Sequence, residues 1–489
     1  MSAPGEVSVL TTVFNLVKLA LLIFSSTLGI STRRLFKQQQ KVENINDLVS
    51  PQGYVAREHV VTTKDGYLLV VHKLEKANNE VGGSGVGSVH SGAPGSGGQI
   101  VYFHHGLLTN SELWVLGTSK EKTLPFLLVD MGYEVWLGNN RGNKYSKKHL
   151  KLSSLSAEFW DFSLDEFAYF DIPDTLQYIQ DYSSYKSSCK SQLQLFDYMR
   201  QNFENDSESS TQCPTPIPHF NSSSTLLSGT SNSTGPPREI IYIGFSQGCS
   251  QLIASLALYP SLNGKIKQFI GLSPAIVPTP SPNAIVQLVV EQTAMDNSFL
   301  YSLFGHRAIL PSVSFWQMMF GPWLYTKVVD RSLVTLFGWT GKNISPQQKA
   351  KGYPYMFSNT SVKSLIHWFQ ILHAGRFQMF EETGGFGRTN LSCISNHSKL
   401  KGTRVTPFPI SDHLDVPFML FCGDKDILVD ADVTRRLIVD SNPKMKDQLE
   451  IVMCPGYEHM DTLWGDEVFQ DVFSKILRKL EDLEGKSGA

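Results

Sequence analysis

A chain of 489 residues is long enough to bury a large core and to hold two or three structural units. Its net charge of −2 and sequence pI near 6.7 give no basic surface of the kind nucleic acid requires, so no nucleic-acid partner is expected. Six scattered cysteines (Cys189, Cys213, Cys249, Cys393, Cys422, Cys454) show no C-x-x-C and no metal-type spacing, which predicts free thiols rather than a disulfide framework.

The first element is Val7 to Ile30, almost continuously apolar and about 36 Å long as a helix. Lys18 interrupts it, and Arg33, Arg34, Lys37 and Lys41 follow it, whereas only Glu6 stands on the other flank. The charge asymmetry predicts residues 1–45 as a membrane anchor and linker with the body of the protein in the cytosol. Lys18 favours a bent segment seated in one leaflet over a straight span. Seven N-x-S/T sequons, at Asn205, Asn221, Asn232, Asn343, Asn359, Asn390 and Asn396, would then go unused.

Residues 78–98, rich in Gly and Ser, read as a flexible loop, and 183–237, rich in Ser, Asn, Thr and Pro, as a disordered insertion. Between them "IVYFHHGLLTNSELW" ends a strand in a His-Gly loop at His104–Leu108 that can aim a backbone N–H at a reacting oxygen. The His104–His105 pair invites a metal reading. Adjacent residues of an extended strand point to opposite faces, so no metal site is expected there.

The next stretch, "REIIYIGFSQGCSQLIASLALYP" over 238–260, places a β-branched and aromatic run before Gly244-Phe245-Ser246-Gln247-Gly248. Leu252, Ile253, Leu256 and Ala257 then recur at helical spacing. A serine on a strained strand-to-helix turn needs small neighbours at Gly244 and Gly248, because side chains there would strike the adjacent strand and helix. Such a motif arises by chance, so Ser246 needs partners. A nucleophilic serine requires a base, an acid to orient it and donors for the oxyanion.

Residues 278–409 change to helical segments rich in Phe, Trp, Met and Leu, such as "FWQMMFGPWLYTKVVDRSLVTLFGW". They read as a cap between two parts of a core, 46–277 and 410–489. An apolar cap suits a long acyl chain and a bulky apolar alcohol. Downstream, a buried strand from Val416 to Cys422 ends in an acidic loop with Asp424, Asp426, Asp430 and Asp432. A second strand, Leu449 to Cys454, ends in a loop carrying His459. Serine, acid and histidine follow in the order of an α/β-hydrolase, each past the C-terminal end of a strand.

"HHGLLTNSELW", "GYEVWLGNNRGNKYSKKH", "FWDFSLDEFAYFDIPDTLQYI", "GFSQG", "GDKDILVDADV" and "YEHMDTLWG" together resemble the acid lipase family of α/β-hydrolases. "RAILPSVSFWQ" and "SVKSLIHWFQILHAGRFQMFEE" resemble, more narrowly, its fungal membrane-anchored steryl ester hydrolases. The similarity runs from about residue 53 to 480, broken only by the two low-complexity stretches. It implies an α/β fold with a mostly parallel sheet, helices on both faces, an inserted helical cap and the N-terminal anchoring helix.

The resemblance also implies Ser246 as nucleophile, His459 as general base and acid, and Asp426 as the orienting acid, with Asp430 as runner-up and Asp424 behind it. The backbone amides of Leu107 and Gln247 would form the oxyanion hole, and no metal or organic cofactor is called for. The expected reaction is cleavage of steryl esters to sterol and fatty acid through an acyl-enzyme. The expected location is a membrane or lipid-droplet surface with the catalytic domain in the cytosol. A triacylglycerol lipase would use the same machinery with a different pocket, an acyltransferase would exclude water, and an inactive scaffold would lack one of the three residues. Arg141 reads as a structural ion-pair former, and Trp160 and Phe162 as core aromatics.

Overall fold

Strand-forming runs rich in Ile, Val, Tyr and Phe assemble into one nine-stranded sheet in a computed structural model of the protein. It describes residues 44–77, 98–184, 238–281, 283–309, 313–382, 406–411 and 413–485, the side chains of Met295 and residues 313–322 excepted. A hairpin opens the sheet: β1 (Tyr54–Thr62) pairs antiparallel with β2 (Tyr67–Lys76). The chain continues through β3 (Ile100–His104), helix α1 (Leu124–Asp130), β4 (Glu134–Leu137) and the short β5 (Lys148–His149). β6 (Ile240–Phe245) leads into helix α2 (Gln247–Leu258), and β7 (Ile266–Leu272) follows.

The spatial order is β1-β2-β4-β3-β6-β7, then β10 (Phe418–Gly423) and β11 (Leu449–Cys454), with β5 beside β2. All pairings from β4 to β11 are parallel. Parallel strands are covered on both faces, which is why β3, β6 and β10 are buried at every position. One core cluster lies on each face, with Tyr102, Tyr242, Phe269 and Phe418 on one side and Phe103, Ile243, Phe421 and Trp464 on the other. Trp160 and Phe162 join the first cluster, as the sequence predicts.

Between β7 and β10 the chain carries helices α3 (Ala284–Met295), α4 (Ser298–Phe304), α5 (Val313–Phe337), α6 (Pro346–Met356) and α7 (Val362–Ala374). A two-stranded ribbon of β8 (Ala308–Ile309) and β9 (Thr360–Ser361) ties this insertion together. Helix α8 (Ala431–Ser441) links β10 to β11, and α9 (Ser474–Gly485) closes the described chain.

The expected membrane-anchored location is corrected here. Among the described residues no helix is long and apolar enough to cross a membrane. Even the 25-residue α5 is broken by Lys327, Asp330 and Arg331, whose charges a bilayer interior penalises. The apolar segment Val7–Ile30 lies outside the described residues, as do the low-complexity stretches apart from Gly98, Ser183 and Ser184. Of the cysteines, Cys249, Cys422 and Cys454 are buried free thiols, and the other three fall outside the described residues.

Candidate active site

The parallel strands end on one edge of the sheet, and their following loops converge there, where ligands meet sheets of this type. Ser246 sits between β6 and α2 at φ 54°, ψ −119°, a left-handed conformation that a non-glycine residue holds only under constraint. Its N–H donates to Leu272 O at 3.0 Å, and its own carbonyl accepts from Cys249 N at 3.0 Å. The glycines around it are steric necessities. A Cβ on Gly248 would lie 2.4 Å from His104 O, and one on Gly244 would lie 3.0 Å from Cys249 N. A Cβ on Gly106 would come within 2.9 Å of Ser246 Cβ, which shows how closely the 104–108 loop lies against the elbow.

Four acidic residues follow β10, and the structure brings one of them to the histidine. Asp426 Oδ2 stands 2.6 Å from His459 Nδ1, and Asp426 Oδ1 accepts from Leu428 N at 2.9 Å. Both partners are almost fully buried. With Nδ1–H donated to the carboxylate, the other ring nitrogen of His459 is left as an acceptor. Asp430 is occupied otherwise, capping α8 by accepting from Asp432 N and Val433 N. Asp424 accepts from Gly456 N. The Phe245 ring beside the elbow lies 5.1 Å from the His459 ring. Ser273, also at positive φ, donates from its hydroxyl to His459 O at 2.8 Å and so holds the histidine backbone to the end of β7.

The 104–108 loop differs from expectation in one respect. The His104 and His105 rings do not face apart; they stack, with centroids 5.3 Å apart and planes 19° from parallel, because the strand ends at His104. Their ring nitrogens are engaged by protein groups. His104 meets Tyr102 Oη at 2.7 Å and Asn140 Oδ1 at 2.8 Å. His105 Nε2 accepts from the backbone N–H of Asn140 at 3.1 Å, so the proton resides on Nδ1, which donates to Gly106 O at 2.8 Å. Thr109 Oγ1 donates to the same carbonyl at 2.9 Å. Burial pushes His104 down to about 4 and His105 down to about 3, the neighbouring His104 adding to the latter shift, and both rings are neutral at physiological pH.

Gly106 O and Leu107 N–H belong to one peptide plane and point in opposite directions. Two donors on the carbonyl therefore fix the direction of the Leu107 amide. Leu108 follows at φ 59°, a second strained residue at the site. Gln247, the other residue expected to donate, is 1% exposed at the start of α2.

Several residues at this edge escape sequence reasoning. His105 enters the sequence reading only as part of the His-Gly loop and of a pair unsuited to a metal, and Ser273 does not enter it at all. Glu458 stands beside His459 in "YEHMD" and accepts from Thr340 N, Thr340 Oγ1 and Gly341 N at 2.7–2.8 Å. Arg141, expected as an ion-pair former, meets Asp171 at 2.7 Å and Asp65 at 2.5 Å with 1% of its side chain exposed. The sequon residue Asn343 donates from its side chain to Gly456 O and Asp461 Oδ2, a packing contact that explains the asparagine.

Comparison with known proteins gives this geometry a family. Residues 45–118 match a family described as a partial α/β-hydrolase lipase region. A probable lipase of Schizosaccharomyces pombe is 35% identical over 442 residues, covering 90% of this chain and 81% of the relative. Human lipase member K is 26% identical, over 90% of this chain and 91% of its own. Human gastric triacylglycerol lipase is 25% identical, over 90% and 91%. The chain therefore belongs to the acid lipase family of α/β-hydrolases, and it is a carboxylic ester hydrolase.

Proposed function

We propose that the protein cleaves steryl esters to free sterol and fatty acid through an acyl-enzyme on Ser246. The 2.6 Å contact between Asp426 and His459, on loops beside the Ser246 elbow, is the observation that carries the chemistry. The unprotonated nitrogen of His459 takes the Ser246 proton as the oxygen attacks the ester carbonyl. The amides of Leu107 and Gln247 receive the oxyanion of the tetrahedral intermediate. Collapse breaks the bond to the alcohol oxygen, and His459 returns the proton to the departing sterol. Water, deprotonated by the same histidine, then releases the fatty acid and restores Ser246. Asp426 keeps its charge throughout and stabilises the imidazolium formed in each half-reaction.

Residues 278–409 serve in this reading as the cap over the acyl and alcohol pockets. Their helices leave Ile285, Phe304 and Trp323 exposed at 70, 42 and 74%, an apolar surface suited to water-insoluble substrates. The alcohol is read as a sterol from the two cap motifs 307–317 and 361–382. Triacylglycerol is the second reading, favoured by the likeness to gastric triacylglycerol lipases.

Fatty acid release from cholesteryl oleate and triolein, compared side by side with Ser246→Ala as control, tests both levels. Sterol ester turnover well above triolein, absent in the variant, is the expected result. Triolein dominance moves the substrate to glycerides, and activity surviving Ser246→Ala removes the nucleophile assignment.

A further inference from the structure

The insertion between β7 and β10 touches the candidate machinery at three separate points, and each contact falls on a different catalytic loop. Just past α5, the Trp339 ring lies flat on His459, with centroids 5.0 Å apart and planes 4° from parallel. Phe337 stacks on Trp339 at 4.4 Å. The next residues fasten the same turn to the histidine loop: Thr340 and Gly341 donate to Glu458, and Asn343 spans to Gly456 and Asp461. Between α6 and β9, Ser358 N donates to Leu108 O at 2.6 Å, and its hydroxyl accepts from Lys144 N. In α7, Trp368 Nε1 donates to Gln247 Oε1 at 2.6 Å, and both residues are buried.

We propose that the cap is a working part of the catalytic apparatus as well as a cover for substrate, with Trp339, Ser358 and Trp368 as positioning residues for His459, the 107–108 loop and Gln247. The inference rests on the assignment of those loops to catalysis above.

The physical argument is one of missing constraints. The Asp426 bond grips one edge of the His459 ring but leaves rotation about that bond free, and a flat ring pressed on its face removes it. The same aromatic face attracts the ring when it becomes imidazolium. Gln247 presents its backbone amide at the first turn of α2, and Trp368 ties down its side chain. Leu108 is strained, and the Ser358 amide holds its carbonyl in that conformation.

The test uses the purified full chain and p-nitrophenyl butyrate, a soluble ester whose short acyl group makes little demand on an apolar wall. Trp339→Leu and Trp368→Phe are each expected to lower kcat about tenfold, a change of about 1.4 kcal/mol, with KM held within about twofold. Trp339→Phe, which keeps a ring face, restores most of the rate. Trp368→Phe made on Gln247→Ala, which retains the backbone amide, is expected to add no further loss, because the partner is already gone.

Unchanged kcat with a raised KM would reduce these residues to pocket walls and overturn the proposal, as would losses from Trp368→Phe and Gln247→Ala that simply add. Trp368→Phe decides alone if Trp339→Leu does not fold. Ser246→Ala run in parallel keeps the two failures apart: a variant still active sinks the nucleophile, whereas an inactive one beside intact cap variants sinks only this inference.

Discussion

At the scale of residues, the site depends on which atom of each ring holds a proton. The Asn140 amide occupies His105 Nε2, so Nδ1–H is committed to the Gly106 carbonyl and the Leu107 amide faces the other way. His105→Ala is expected to lower kcat about 10- to 100-fold with KM little changed, somewhat less than deleting an oxyanion donor outright. Steady-state kinetics on a soluble ester checks this. His104 makes a prediction about pH instead. Unfolded, it takes up a proton near 6.5; buried, only near 4. As pH falls the unfolded chain therefore binds the proton first, so this contribution to stability is complete above 6.5 and is lost between 6.5 and about 4. Across that window His104→Gln should flatten the pH dependence of the unfolding free energy by about 1.4 kcal/mol per pH unit, read from urea titrations. The two histidines also mark a limit of sequence reading. Extended geometry predicts rings on opposite faces, but β3 ends at His104 and the turn that follows lets them stack.

At the scale of elements, the elbow is the most legible part of the molecule. A strand buried on both faces has to be an apolar run, and the turn into α2 has to be small on either side of Ser246, so both leave marks in the sequence. Gly248→Ala puts a carbon against two backbone carbonyls of the neighbouring loop and is expected to cost about 1–3 kcal/mol with a loss of kcat. Thermal unfolding and kinetics on the same preparation check both. The acidic loop is less legible, because four aspartates lie within nine residues and only the folded chain selects one. Two variants separate them. Asp426→Asn should reduce kcat by about 10⁴, and Asp430→Ala should cost about 1 kcal/mol of stability through a lost helix cap while leaving kcat near its original value. Equal kcat losses in the two variants would refute the assignment. The contacts of Trp339 and Trp368 have no sequence signature at all, since a tryptophan in an apolar segment looks the same whether it packs on its neighbours or on a histidine 120 positions away.

At the scale of the whole molecule, Arg141 joins parts that are remote along the chain. It reaches Asp65 in the β1–β2 turn and Asp171 beyond β5, with the Tyr67 ring 4.0 Å beneath its guanidinium. Arg141→Met leaves Asp171 buried without its partner and is expected to cost about 3–5 kcal/mol, measured by urea unfolding at neutral pH. The order of the sheet has a consequence for the making of the protein. Ser246, the proposed nucleophile, follows β6 near the middle of the chain, but His459, its proposed base, follows β11, the last strand among the described residues. At about 5–20 residues per second, synthesis delivers Ser246 roughly 10–40 s before His459. On the proposed assignment the growing polypeptide holds its serine without its base throughout that interval, so an esterase built in this order stays inert toward the lipids around it until His459 has been added.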